Sequence, residues 1–385
     1  MNGTIRKRFK QRVMGWAANR LRRPQLTPQA VRELAPRRIL IVRQHNQMGD
    51  MICATPSFRA LRTAFPEAEM VLVCATVNWE VVRHNPDLDG VLLYDKKVAR
   101  RPWRLWRLWR ALRAFRPDLA FVLNSVSFSV TSAIIAVASR APVIVGGDSR
   151  PFGWDLSRQL YSLEMPSEPE LTCHAVAHSL HPLRAIGITT ENLATVVDPA
   201  PAETAAARRL LAQYDNGQPV WVLHPGAGKR DNLWPAESFA AIASQAVAAG
   251  KRVLVLQGPA DQEVCRRLQA ALAAETGETS TPDVVLLPPQ TVGVCAALLA
   301  RADCFLCNDT GLMHVAGAVG VPSVALFGPT DPALWKPLAA TVKAVRGEGD
   351  RLDTIPVELV WREMQRVSSR DTVQDRDSGS NPDWS

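Results

Sequence analysis

From residue 38 onward, short continuous runs of β-branched and aliphatic residues alternate with stretches of helical length, and they do so in two successive series. The first series predicts strands at Arg38–Arg43, Met70–Ala75, Gly90–Asp95, Leu119–Asn124 and Pro142–Gly147. The second predicts strands at Pro219–Leu223, Arg252–Gly258, Val284–Pro288, Cys304–Asp309 and Ser323–Gly328. Continuous apolar runs, rather than strict alternation, are the mark of parallel strands covered by helices on both faces. Helices are expected between them at Asp50–Ala64, Pro102–Phe115 and Pro235–Ala249. The last has Pro near its start and Gly250 just past its end. The economical fold is α/β, with two doubly wound parallel-sheet units joined near residues 187–218 and a helix at Ala200–Asn216 between them.

A chain of 385 residues divides naturally in two at this size. The expected limits are a basic amphipathic segment at 1–37, a first domain at 38–199, a second at 200–367, and a polar, disordered tail at 368–385. Seven scattered cysteines argue against a disulfide scaffold. No apolar run approaches a membrane span, and no apolar core follows the N-terminal charges as in a secretory signal. These features predict a soluble, cytoplasmic chain.

The net charge of +8 is concentrated. Residues 1–38 carry +10 and residues 96–116 carry +9, so the remainder is acidic at −11. On a helical wheel Ile5, Phe9, Val13 and Trp16 fall within about 80° of one another, among cations. In Trp103-Arg-Leu-Trp106-Arg-Leu-Trp109-Arg, the leucines Leu105, Leu108 and Leu112 share one face with Phe115. The three Trp and most of the Arg share the other. Trp beside Arg suits an anionic membrane interface, where indole sits at headgroup level and guanidinium meets phosphate. A solvated basic face is the plainer alternative. No nucleic-acid fold signature accompanies the charge, so nucleic acid is not expected as a partner.

In open parallel sheets ligands bind beyond the carboxyl ends of the strands, and three loops there are unusual. Gln44-His-Asn-Gln-Met-Gly-Asp50 leaves the first strand and enters a helix; Asp50 there is either a helix cap or a functional carboxylate. His224-Pro-Gly-Ala-Gly-Lys-Arg-Asp-Asn-Leu-Trp-Pro235 offers small residues that let backbone N–H groups approach phosphate, with Lys229 and Arg230 supplying charge. It has neither the Walker A spacing nor the dinucleotide glycine pattern, so no ATPase or NAD site is expected. Asn308-Asp-Thr-Gly-Leu-Met-His314 runs from a strand into a small-residue helix. The N–H groups at Thr310–Leu312 and the positive dipole end make an anion site there, one turn from His314.

Taken together, Gly49-Asp50 with Thr55-Pro56, the His224-Pro-Gly-Ala loop ending in Trp234-Pro235, and Asp309-Thr-Gly-Leu-Met-His314 through Leu326-Phe-Gly-Pro-Thr330 resemble the bacterial lipopolysaccharide heptosyltransferases. The resemblance covers about residues 38 to 335. It implies a GT-B architecture, two Rossmann-like domains facing a cleft, with the acceptor on the first. It implies inverting, metal-independent transfer of a sugar, usually from ADP-heptose, to a lipid-linked glycan acceptor at the inner face of the cytoplasmic membrane, with no cofactor. By position it places Asp50 on the catalytic base. It places Gly226, Ala227, Thr310, Gly311 and His314 on donor phosphate contacts, with Asp309, Lys229 and Arg230 beside them and Glu263 near the ribose. The family commonly carries Lys two residues before the Trp-Pro, where this chain has Asn232. An epimerase of similar architecture, or a non-catalytic binding relative, are the alternatives.

Two motifs are set aside. Asp87-Leu-Asp89 follows Asn85-Pro86 and reads as a turn rather than a metal-binding pair. Cys304-Phe-Leu-Cys307 is a single pair within a strand, read as core cysteines rather than a zinc half-site.

Overall fold

The computed structural model describes residues 21–44, 47–94, 101–124, 126–214, 217–276 and 283–369. The expected amphipathic helix at 5–16, with Phe9 and Trp16, lies outside them, as do residues 370–385 of the expected tail. The chain forms two compact units that divide between Thr195 and Val196.

The first unit is built on six strands: β1 (Arg38–Val42), β2 (Glu69–Cys74), β3 (Gly90–Leu93), β4 (Leu119–Val122), β5 (Val143–Gly147) and β6 (Leu163–Met165). They lie in the order β3-β2-β1-β4-β5-β6, all parallel, with Leu40 of β1 opposite Val71 on one side and Ala120 on the other. The second unit repeats the arrangement with β7 (Val220–His224), β8 (Arg252–Val255), β9 (Val284–Leu286), β10 (Cys304–Asn308), β11 (Ser323–Phe327) and β12 (Val342–Arg346). Its order is β12-β11-β10-β7-β8-β9, again parallel throughout. Both are the 3-2-1-4-5-6 order of doubly wound dinucleotide-type domains, so the expected α/β class of two Rossmann-like, GT-B-type sheets is what forms.

Parallel strands need helical crossovers that cover both faces of the sheet. Accordingly Ile39, Leu40, Ile41 and Val42 are all fully buried, as are Phe305, Leu306 and Cys307 in the second sheet. Burying each such aliphatic side chain contributes roughly 1.5–3 kcal/mol relative to exposure. The helix Val357–Ser368 seats Val360, Met364 and Val367 on the second core, and its Trp361 stacks 5.4 Å from Trp221. Cys304 and Cys307 are free, buried core residues. No helix among the described residues is long and apolar enough to cross a membrane.

The structure corrects the sequence reading in four places. Asp50–Ala64 is two helices, Met48–Cys53 and Thr55–Ala64. Pro56 has no N–H to give the Ile52 carbonyl, and the Thr55 hydroxyl donates to it instead at 2.8 Å. The edge strands β6 and β12 were not foreseen. Ser368, placed in the tail, ends the last helix. In the helix Pro102–Phe115, Leu108 and Leu112 are buried on the first core but Leu105 is 44% exposed, so the apolar stripe packs only over its C-terminal half.

Candidate functional site

In the first unit the chain leaves β1 through Arg43 and Gln44 and re-enters helix at Met48, which places Asp50 in the first turn. A carboxylate there is favoured by the helix dipole. Beneath it lies Arg43, only 3% exposed, a residue that sequence reasoning missed. Its Nη1 donates to the Leu123 carbonyl at 2.7 Å and its Nη2 to the Asp50 carbonyl at 3.2 Å. Burial pushes the Arg43 guanidinium down from its ordinary value, and the Asp50 charge opposes that shift. Burial, with Asp50 adding to it, raises the Cys53 thiol to about 12, so it stays protonated at neutral pH. The signal for Arg43 was a cation directly after the apolar run Ile39–Val42. Its neighbours His45 and Asn46 are outside the described residues.

In the second unit two loops meet above the carboxyl ends of β7 and β10. Asn308, fully buried, holds them together. Its Nδ2 donates to the carbonyls of Pro225 at 2.9 Å and Gly226 at 3.3 Å, and its Oδ1 accepts from the Trp234 N–H at 3.1 Å. Gly226 has to be glycine, since a Cβ there would run into the Asp261 carboxylate. Asp261 in turn accepts from the Gly258 N–H at 2.6 Å. His224 closes β7 with Nδ1 at 3.2 Å from the Leu256 carbonyl; a carbonyl only accepts, so that nitrogen carries the proton. Burial pushes the His224 imidazole down, and the Asp261 charge opposes this.

The Asp309 carboxylate accepts from Asn232 Nδ2 at 3.1 Å. Burial raises its pKa, while hydrogen bonds from Thr330 and Asn232 and the Lys229 charge work against the rise. Thr310 then caps the helix Gly311–Val319 in extended conformation, without a side-chain capping bond. Its Oγ1 is buried and has no hydrogen-bond partner among the described residues. Gly311 opens the helix, whose first N–H groups have no intrahelical acceptor. His314, one turn in, is 4% exposed, with its ring edge-on to Trp335 at 6.4 Å. On the far side Gly328 packs so closely that a Cβ would lie 3.3 Å from the Asp231 carbonyl.

The second unit therefore brings the Gly226 loop against the strand end that leads into Asp309, Thr310, Gly311 and His314, through the Asn308 bond to the Gly226 carbonyl and the Asn232 bond to Asp309; Ala227 follows Gly226 on that loop, with Lys229 and Arg230 exposed beside it. Glu263 is not in that group: it is exposed on the helix Gln262–Thr276 and bridges to Arg266 at 2.8 Å. The carboxylate of that segment that reaches the glycine loop is Asp261. Sequence reading missed Asp261 and Asn308 as organisers of this site.

The exposed face of Pro102–Phe115 presents Trp103, Trp106 and Trp109 at 59%, 53% and 46% exposure. Arg101 lies over Trp103 at 5.9 Å, Arg110 over Trp106 at 5.4 Å and Arg113 over Trp109 at 5.0 Å. Asp87 and Asp89 form the expected turn. The Asp87 N–H donates to Asn85 Oδ1 at 3.0 Å, and Asp89 pairs with Arg62 at 2.6 Å.

The family model for glycosyltransferase family 9 (heptosyltransferase) matches residues 105–354. Lipopolysaccharide heptosyltransferase 3 of Escherichia coli is 22% identical over 289 residues, which is 75% of this chain and 83% of that protein. The glycosyl transferase family 9 structure from Veillonella parvula DSM 2008 superposes with a TM-score of 0.74 at 23% identity, covering 86% of this chain and 97% of that one. E. coli ADP-heptose lps heptosyltransferase II superposes with a TM-score of 0.69 at 21% identity, covering 88% and 99%. With two doubly wound units and a family match over residues 105–354, this chain belongs to glycosyltransferase family 9, the heptosyltransferases, and is a glycosyltransferase.

Proposed function

We propose that the chain transfers heptose from ADP-heptose to the lipopolysaccharide core or a related lipid-linked glycan, with inversion at the anomeric carbon and without a metal ion. The observation that carries this reading is the buried, unpartnered Thr310 Oγ1 at the N-terminus of Gly311–Val319, beside a glycine loop with no room for a Cβ at Gly226. A leaving diphosphate gains charge in the transition state, so fixed N–H and O–H donors beneath it are the main requirement. The N–H groups of Gly226, Ala227, Gly311 and the Thr310 hydroxyl supply them, and His314 stands behind. Lys229 and Arg230 add the positive charge that a metal ion supplies elsewhere. Glu263 exchanges Arg266 for the ribose hydroxyls.

Asp50 takes the proton from the acceptor hydroxyl. The hydroxyl oxygen bonds to the anomeric carbon on the face opposite the breaking C–O bond, and ADP departs with the electron pair. The acceptor is carried on lipid, so the enzyme works at the inner face of the cytoplasmic membrane. The Trp103, Trp106 and Trp109 face, with its stacked arginines, is the contact, joined by the segment carrying Phe9 and Trp16. Each Lys or Arg near an anionic surface contributes about 1 kcal/mol, so several together hold the protein without an anchor. Mass analysis of the surface glycan from a strain lacking this chain tests the reading. Loss of a heptose residue and everything beyond it supports it, and an unchanged glycan contradicts it.

A further inference from the structure

The helix Val130–Ala138 crosses from β4 to β5 beside Pro102–Phe115, and both pack on the core of the first unit. Its sequence, Val-Thr-Ser-Ala-Ile-Ile-Ala-Val-Ala, holds no charged residue. Ser132, Ala133, Ile135 and Ala136 are buried on the core side. The outer side carries Val130, Ile134 and Val137 at helical spacing, and it too is apolar. Val130 and Val137 are half-buried, and Ile134 between them is 57% exposed. A surface helix ordinarily turns charged and polar residues outward, and one that is apolar all round is covered by something. The first half of Pro102–Phe115 has the same character, with Trp103, Leu105 and Trp106 all exposed. Crossover helices of a parallel sheet start at the carboxyl ends of its strands. Trp103, Leu105, Trp106 and Ile134 fall within the first five positions of their helices, so they lie toward the end of the sheet that carries the Asp50 loop.

The charge around this face decides what covers it. Residues 96–116 carry +9 without an acid, so a second copy of the chain would set like charges against each other there. The basic N-terminal segment would do the same. An anionic bilayer instead meets the cations with phosphate and the aliphatic groups with hydrocarbon. Nine helical residues span about 14 Å, less than half of a hydrocarbon layer of roughly 30 Å, so Val130–Ala138 would lie in the plane of the surface. We propose that Val130–Ala138 enters an anionic membrane by its outer face and buries Ile134 below the headgroups, with Val130, Val137 and Leu105 around it. The tryptophans and Ile134 go in together, so losing either loses the affinity that salt leaves. Insertion at these positions tips the carboxyl ends of the first sheet toward the lipid, so that a lipid-linked acceptor meets the Asp50 loop without leaving the bilayer. This rests on the membrane contact proposed above and adds a second helix and a depth to it.

Cosedimentation of the full chain with vesicles of phosphatidylethanolamine and phosphatidylglycerol, at low and at high salt, tests it. Ile134→Lys adds a cation to a cationic face, so a purely electrostatic contact would tighten at low salt. The proposal predicts the opposite: binding no tighter than wild type at low salt and about tenfold weaker at high salt. Ile134→Ser should weaken binding in the same direction without any change of charge, and Ile134→Leu should bind as the wild type does. All three should melt with the wild type, because the side chain they replace is exposed. Binding by Ile134→Lys and Ile134→Ser equal to or tighter than wild type at both salts overturns the proposal and leaves the tryptophan contact standing. A wild-type dimer in sedimentation velocity that Ile134→Lys dissociates also overturns it, by giving the face to a second copy. No wild-type binding to these vesicles defeats the membrane reading together with the proposal.

Discussion

The Asn232 amide donates to the Asp309 carboxylate across 3.1 Å and so ties the loop after β7 to the loop after β10. Asn232 stands where the resembling family commonly has Lys, and here it is 8% exposed and structural. It leaves Asp309 buried, with the desolvation that raises its pKa opposed by hydrogen bonds from Thr330 and Asn232 and by the Lys229 charge.

That raised value fixes the sign of a pH effect. Asp309 holds its proton more tightly folded than unfolded, so it costs stability where it is ionised. The cost is absent below about pH 4, the ordinary carboxylate range, and grows as pH rises through the folded value. Asp309→Asn should therefore raise the melting temperature at pH 7–8, by about 2–4 °C if the gain is ~1 kcal/mol. The gain should shrink on acidification. A gain that grows toward acid contradicts this account.

Asp50→Asn keeps the shape of the first helical turn and removes the base. Turnover should fall by roughly 10²–10⁴ with ADP affinity unchanged. If turnover stays within a few-fold, Asp50 only caps the helix.

Thr310→Val replaces a buried hydroxyl that bonds to no group among the described residues. Folding stability should hold. ADP should bind about tenfold more weakly while adenosine binds as before, because the loss falls on the diphosphate. Equal weakening of both ligands would move the site away from the helix N-terminus.

Cosedimentation with anionic and zwitterionic vesicles reads the tryptophan face. The wild type should prefer anionic vesicles, with binding reduced by salt because screening acts over about 8–10 Å. Trp106→Ala with Trp109→Ala should remove the part of the affinity that salt leaves. Unchanged binding by the double variant assigns the contact to other segments.

The central strands were legible because both faces of each are covered, which leaves uninterrupted apolar runs such as Ile39–Val42. The edge strands β3 and β9 were also foreseen, but the edge strands β6 and β12 were not. Leu163–Met165 is three residues long, and Val342-Lys-Ala-Val-Arg346 mixes buried valines with an exposed Lys and Arg, so it offers no continuous apolar run. The glycine loop and the Thr310 helix could be read because small residues at a strand end carry a chemical meaning by themselves. Asn308, Asp261 and Arg43 could not, since a single polar residue at a strand end declares its role only once the sheet order shows which loop lies beside it. Leu105 was misplaced because a helical wheel gives a face but not how far the neighbouring core extends along it.

The most direct test of the account incubates the purified chain with ADP-heptose and a lipid-linked inner-core acceptor in the presence of EDTA, and follows ADP release together with the anomeric configuration of the product by NMR. The account predicts ADP released in step with a heptoside of inverted configuration, at a rate that EDTA leaves unchanged. Retained configuration, a strict requirement for Mg²⁺ or Mn²⁺, or no transfer to any lipid-linked acceptor would contradict it.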